Sequence, residues 1–391
     1  SVPVNERSEL DRWILSRLHT VATDYHDNFT NWQFHKACRD LEDFMVNDVS
    51  NWYVRRSRRR LWDEADSHDK LSCQHTLHEV LETVCRLVAP VSPFMVDRIH
   101  RNLTGESVHI ADWPMGVPGT LEGATADAWD DDAARATARL PPQDTKLEQT
   151  MALVRELAEA GRRIRIDGGR RQRLPCAQGW IVAGPDLSAF HDLLAEELNV
   201  EAIRVEADLD RFQRIELAPN FRALAPKARA EVNNVANAIR NAEDPEALLA
   251  SINDGGADVL GVLVEPSDVE VKRVEREGFA AQTVNSESES DTVQVSLVLD
   301  MNDTPALLSK GMARDIVRRV QAKRKALDLD IEATVDLELW LSNAPPMNAD
   351  DVQWVATETR AAACVVHDTE EAPPHAEHFE VGGASVHFIV S

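Results

Sequence analysis

The feature that most restricts what this chain can become is a set of four apolar stripes, at steps of three and four, between residues 8 and 103. Leu10, Ile14, Leu18, Val21, Tyr25 and Phe29 line one face of a helix that Ser8 opens, with Asp11 three positions on. After Thr30, the stripe Phe34, Ala37, Cys38, Leu41, Phe44, Met45, Val49 and Trp52 predicts the longest helix of this region, ending in the basic run Arg55 to Arg60. Leu77, Val80, Leu81, Val84, Leu87 and Val88 repeat the spacing until Pro90 stops it, and Pro93 can start a fourth helix carrying Val96, Ile99 and Leu103 that closes at Gly105. Each stripe must be covered, and short connections make neighbours antiparallel, so a helical bundle is expected over 1–115. SVHIADWP at 107–114 reads as an extended strap across its end.

Residues 116–145 hold Gly, Pro and Ala, the acidic run Asp130 to Asp132 and Pro141-Pro142, with little to build a core, and are read as an acidic linker. From Lys146 to Ser391, helical and strand periods alternate. Helices are expected at Leu147–Ile166, Leu187–Leu198, Phe221–Ala242 and Thr304–Ala326. Strands are expected at Gly179–Ala183, Val200–Val205, Val259–Val264, Val269–Val274, Val293–Leu299, Thr334–Leu341 and Ser385–Val390. The predicted class is therefore α followed by mixed α/β (α+β): an N-terminal antiparallel bundle, the linker, and a C-terminal α+β extension over 146–391.

Charge narrows the surroundings. The chain carries 67 acidic against 42 basic residues, a net charge of -25, and only eight of the basic residues are Lys. A lysine-poor, acid-rich surface suits a cytoplasm at very high salt, where screening removes the mutual repulsion of carboxylates, so a halophilic source is expected. No apolar run approaches the ~18 residues that suggest a membrane span, and the start lacks a secretory signal, so cytoplasmic placement without membrane contact is expected. The five cysteines lie at least twelve positions apart with no CxxC, and read as small buried hydrophobes.

No Gly-rich phosphate loop, HExxH, GxSxG or paired metal-ligand spacing is present, so no catalytic residue, metal site or cofactor is assigned to this chain. Cys73, His75 and His78 share one predicted helix but not one face, and His375, His378 and His387 read as a solvated tail. What stands out is arginine. Asn51-Trp52-Tyr53-Val54 leads into five arginines in six positions, and Arg55, Arg56, Arg59 and Arg60 fall on one helical face. Guanidinium groups bond two phosphate oxygens at once and stay charged, so this face is a candidate phosphate ladder, with Trp52 or Tyr53 placed to stack on a base. The same arginines could equally cap the helix end and pair with Asp48, Asp63 and Glu64. A second island, Arg162, Arg163, Arg165, Arg170, Arg171 and Arg173, surrounds Gly168-Gly169. A third, Arg314, Arg318, Arg319, Lys323, Arg324 and Lys325, lies on a predicted helix, where a solvated face is the alternative.

Asn51 to Trp62, followed by Ala89-Pro90-Val91-Ser92-Pro93-Phe94 and by Ser107 to Pro114, resembles in order and spacing the anticodon-binding domain of isoleucyl-tRNA synthetase, in its archaeal and eukaryotic branch. Arg173-Leu174-Pro175, Glu197 to Val200, Leu217 to Phe221, Gly311 to Asp315 and Val317 to Gln321 are similar to successive motifs of that enzyme's C-terminal extension. The resemblance implies a class I ligase whose catalytic domain, using ATP and Mg to charge isoleucine tRNA, and whose editing domain would lie before Ser1. Isoleucine tRNA and those domains become the implied partners. The RNA-facing candidates are Asn51, Tyr53, Arg55, Arg56, Arg59, Arg60, Arg162, Arg163, Arg170, Arg171, Arg173, Arg318 and Arg319. The alternative is a synthetase-derived scaffold or protein–protein interaction module without RNA binding. The bacterial form's cysteine-knuckle zinc module has no counterpart here, which supports the archaeal-type reading.

Overall fold

A computed structural model describes residues 2–62, 67–114, 140–287, 292–330, 332–367 and 371–391. Most of the expected linker, residues 115–139, lies outside the described residues, as do Asp63 and Glu64. The described chain divides into two compact units, Ser1–Leu153 and Val154–Ser391.

The first unit is the expected helical bundle: α1 (Glu9–Thr30), α2 (Phe34–Asp43), α3 (Arg55–Leu61), α4 (His68–Val88) and α5 (Pro93–Thr104). The boundaries follow local chemistry. Ser8 and Ser67 accept the backbone N–H of Asp11 and Lys70, Pro93 occupies the first turn of α5, and Gly105 closes it at φ 83°. Between α2 and α3 the chain stays helical but winds wider, as a π-helix over Phe44–Val54. Trp13, Ile14, Leu15, Leu18, Tyr25, Phe44, Tyr53 and Leu87 are fully buried. The strap 107–114 is not wholly extended: Val108–Ile110 forms a 3₁₀ turn that Asp97 holds by accepting from Ser107 Oγ and the Val108 N–H. Leu140 to Asp144, at the end of the expected linker, packs on α1: His19 Nδ1 meets the Pro141 carbonyl at 2.6 Å, and Asp144 N donates to Ser16 Oγ. Helix α6 (Thr145–Asp167) follows, with Glu148 accepting from Arg17, Ser16 and Thr20 of α1.

The second unit contains one plan used twice, which the sequence reading did not detect. A long helix, a strand, a short helix, a strand parallel to the first and an antiparallel hairpin occur as α6, β1 (Gly179–Val182), α7 (His191–Leu198), β2 (Ile203–Glu206), β7 (Phe279–Glu287) and β8 (Thr292–Asp300). The same order recurs in α11 (Pro305–Ala326), β9 (Val335–Ser342), α12 (Ala349–Thr359), β10 (Ala361–His367), β11 (Glu377–Val381) and β12 (Ala384–Val390). The sheets run β2-β1-β8-β7 and β10-β9-β12-β11, the same order position by position. Each long helix carries a buried arginine two positions before its last residue. Arg165 donates to the Leu174, Leu198 and Asn199 carbonyls, and Arg324 to the Asp330 and Ala333 carbonyls. Burial holds the Arg165 guanidinium below its ordinary value, against the opposing influence of Cys176.

The first copy carries an insertion between β2 and β7. It comprises β3 (Gln213–Pro219), α8 (Phe221–Ala228), α9 (Val232–Arg240), α10 (Pro245–Asn253), the short pair β4 (Ala257–Val259) and β5 (Val262–Val264), and β6 (Val269–Glu275), around its own core of Leu217, Leu224, Val235, Ile239, Ile252 and Val264. The single helix expected over 221–242 is broken, because Pro226 cannot continue the hydrogen-bond ladder and Arg229 turns the chain at φ 47°. His378 and His387, expected in a solvated tail, are instead neighbours on β11 and β12, with ring centroids 4.7 Å apart.

Candidate nucleic-acid interface

The arginine run of the first unit splits between interior and surface. Arg60 points inward, its Nη1 and Nη2 donating to Asp11 at 2.9 and 2.6 Å and its Nε to Asp69 at 2.8 Å. Asp11, with no exposed surface, also accepts from Tyr53 Oη at 2.6 Å and Ser72 Oγ at 2.8 Å. Burial pushes the Asp11 carboxyl up, but the Arg60 hydrogen bonds and charge, with those from Tyr53 and Ser72, more than offset it and hold it below 3.8. Tyr53 is therefore committed to the core and its ring is not available to a base. This corrects the expectation for Tyr53 and Arg60. The physical cause is position: Tyr53 follows the buried Val49 by four residues and so shares its inward side, and Arg60 is drawn in by the Asp11 and Asp69 carboxylates.

Arg56 lies over the Trp52 ring, its Cζ 3.2 Å from the centroid, and donates to the Trp52 carbonyl. Arg56 and Arg60 thus share the inward-leaning side, while Asn51, Arg55, Arg58 and Arg59 are exposed. The outward set in this unit is Asn51, Arg55 and Arg59, joined by Arg58, which the helical wheel had turned away.

In the second unit the structure joins two islands that are 144 positions apart in sequence. Arg171 and Arg173, on the loop after α6, reach the Asp315 carboxylate of α11 at 3.4 and 3.5 Å, and both guanidiniums stay half exposed. One turn further along α11, Arg318 and Arg319 are exposed, Arg319 with its Cζ 5.3 Å from the Phe379 ring centroid. Arg314 donates to Asn199 Oδ1 and to the Arg173 carbonyl. Gly311 permits the approach: a Cβ there would sit 2.9 Å from Leu174 Cδ1 and 3.2 Å from Leu174 Cα. The result is two guanidiniums from the loop paired to one carboxylate, with the exposed Arg318 and Arg319 one turn further along the helix that carries it. Such a carboxylate fixes the cations without cancelling them and leaves donors for phosphate oxygens.

The remaining members of the second island do other things. Arg170 is only 5% exposed and donates to the Met301 and Pro175 carbonyls and to Asp303, so it holds the fold. Arg162 and Arg163 pair with Glu159 on the α6 surface, away from the Asp315 group in sequence and partners. Asp11, Asp315 and Arg165 were missed as organising residues. For Asp11 the available signal was its place beside a stripe otherwise apolar. Among the described residues no group of three His, Cys, Asp or Glu is placed to hold a metal, and no helix is long and apolar enough to cross a membrane.

Comparison with known proteins adds a second line. Residues 11–178 match the family described as the anticodon-binding domain of tRNA ligase. The chain is 33% identical over 342 residues to isoleucine–tRNA ligase of Bacillus thuringiensis (strain Al Hakam), across 85% of this chain and 30% of that protein. It is 36% identical over 360 residues to isoleucine–tRNA ligase of Thermobifida fusca (strain YX), across 88% and 30%. With that of Porphyromonas gingivalis (strain ATCC BAA-308 / W83) it is 30% identical over 377 residues, across 94% and 31%. The chain thus spans about 30% of the length of these curated relatives.

Proposed function

We propose that this chain is the tRNA-recognition portion of an isoleucine–tRNA ligase, with isoleucine tRNA as its ligand, acting in the cytoplasm. The observation that carries the reading is that folding brings Arg171 and Arg173 onto Asp315 of α11, the helix that exposes Arg318 and Arg319 one turn on, in a protein whose net charge is -25. An acidic surface repels RNA at long range, so cations gathered at one place by folding concentrate the attraction there. The similarity to isoleucine–tRNA ligases and the anticodon-binding match support a tRNA as the polyanion. Phosphate contacts from these arginines set the register of the RNA, and unpaired loop bases supply specificity through stacking and edge hydrogen bonds. ATP, Mg and the charging and editing reactions belong, in this reading, to the parts of the ligase that this chain does not span. Its acid-rich, lysine-poor surface adapts that recognition to molar salt, where the Debye length is ~3 Å and only close contacts act.

Filter binding of isoleucine tRNA and an anticodon-swapped tRNA, from low to molar KCl, tests this. Arg171→Ala with Arg173→Ala should weaken binding by roughly 1–3 kcal/mol through lost charged hydrogen bonds. A folded double variant with wild-type affinity, or equal affinity for both tRNAs, overturns the reading. Retained folding with no tRNA binding by the wild-type chain would favour the scaffold alternative.

A further inference from the structure

The insertion between β2 and β7 holds a cleft that the arginine cluster does not include. On the inner face of the β3–β6 pair the register runs Leu217 opposite Val271, Ile215 opposite Arg273 and Gln213 opposite Glu275. Leu217 is buried and Ile215 half-buried, while Val271 and Arg273 opposite them are exposed, so the apolar cover thins toward β6. Helix α10 lies against the same face, and beyond its Ile252 the space opens into a cleft of about 520 Å³ whose walls include Ile215 and Leu249. Volumes of roughly 300–1,000 Å³ are those of small-molecule sites, and a single nucleotide falls within that range.

The polar lining is mixed in a way that suits one ligand class. Arg276 is anchored through Nε to the Gln213 carbonyl at 2.8 Å and forms no ion pair among the described residues. Arg273 makes only a long, exposed pair with Asp210 at 3.5 Å, which a phosphate can replace at little cost. Glu246 lines the cleft as an acceptor, and Gln213 and Asn253 supply amides. Asp210 and Arg214, the latter paired with Glu216, also line the cleft; beside them, two cations for a phosphate, an aliphatic wall for a ring and a carboxylate for an amino group together describe a nucleotide.

We propose that this cleft takes one unpaired nucleotide of the bound RNA, with a base that carries an exocyclic amino group. The identification of that nucleotide as part of RNA rests on the RNA-binding reading above. Arg273 and Arg276 hold the phosphate, Ile215 and Leu249 cover the base, and Glu246 accepts from its amino group. The amide groups of Gln213 and Asn253 complete the edge contacts.

Equilibrium dialysis of the full chain against 5′-CMP and 5′-UMP, alongside filter binding of tRNA, tests it. CMP should be retained more tightly than UMP, and Arg273→Ala with Arg276→Ala should weaken CMP and tRNA binding by about tenfold. Glu246→Gln should bring CMP and UMP level, while Arg171→Ala leaves CMP binding unchanged. These are exposed or lining positions, and circular dichroism checks that the variants fold. No retention of CMP, or retention indifferent to the two arginines, overturns the cleft. Loss of CMP with unaltered tRNA affinity overturns the RNA source and leaves a site for a free nucleotide. If the wild-type chain binds no tRNA, the function reading fails separately, and the CMP arm still decides the site.

Discussion

Arg60 is the position where interior and surface readings of the same residue type diverge most, and Arg60→Ala separates them. The substitution removes three donors from carboxylates, two of them on Asp11, which has no exposed surface. A buried carboxylate that loses its cation costs about 3–5 kcal/mol. For a protein unit of this size each kcal/mol moves the melting temperature by about 2–4 °C, so a fall of about 6–20 °C is expected for the helical unit. The pH dependence gives an independent check. With Arg60 present, Asp11 titrates below its ordinary 3.8, so its contribution is fully present above that value and is lost as pH falls through the lower folded value. Without Arg60, burial dominates and the carboxyl moves up. The penalty of the variant is then largest near neutral pH and shrinks in acid, as Asp11 takes a proton and becomes neutral. Scanning calorimetry at neutral pH and at pH 4, with the Asp11→Asn and double variants closing a thermodynamic cycle, measures both effects. A melting temperature within about 2 °C of wild type, or a coupling energy under about 0.5 kcal/mol, refutes the network as described. The tRNA salt slope should not change, because this guanidinium is already committed.

Arg165→Met leaves the Leu174, Leu198 and Asn199 carbonyls without their buried donor and should destabilise the second unit by about 2–4 kcal/mol, read by chemical denaturation. Gly311→Ala forces a methyl against Leu174 and should cost about 1–3 kcal/mol, while lowering tRNA affinity through displacement of the Arg171–Arg173 loop; unchanged stability would show that the loop yields freely. Asp97 is drawn down to about 2 by its bonds from Ser107, Arg101 and the Val108 N–H. The grip on the 107–110 turn is therefore fully present above 3.8 and lost as pH falls through about 2, and Asp97→Asn should raise amide exchange at Val108 already at neutral pH, where wild type remains protected.

Much of the first unit was legible because its information is local. An apolar stripe at helical spacing, a serine cap, a proline in a first turn and a glycine after a last turn act within a few residues, and the boundaries of α1, α4 and α5 follow from them. The π-helical winding over Phe44–Val54 was not legible, since it depends on what the bundle packs around it, and neither was the buried Asp11 that claims Tyr53 and Arg60 from two other helical turns. A helical wheel places Arg55, Arg56, Arg59 and Arg60 together; burial then assigns two of them inward and two outward.

In the second unit, strand periods disclosed β8 and β9 but not that β2 lies beside β1, or that the same order of four strands is built twice with an insertion in the first copy. Strand pairing is set by contacts between segments far apart in the chain, and period-two alternation carries no address for the partner. The sequence alone therefore established that a strongly acidic chain carries its arginines in islands. Only the folded chain determined which of them meet around Asp315, which are spent on buried carbonyls and carboxylates, and that Arg273 and Arg276 face the same cleft, because charge can be counted along a sequence but solvation and proximity belong to three dimensions.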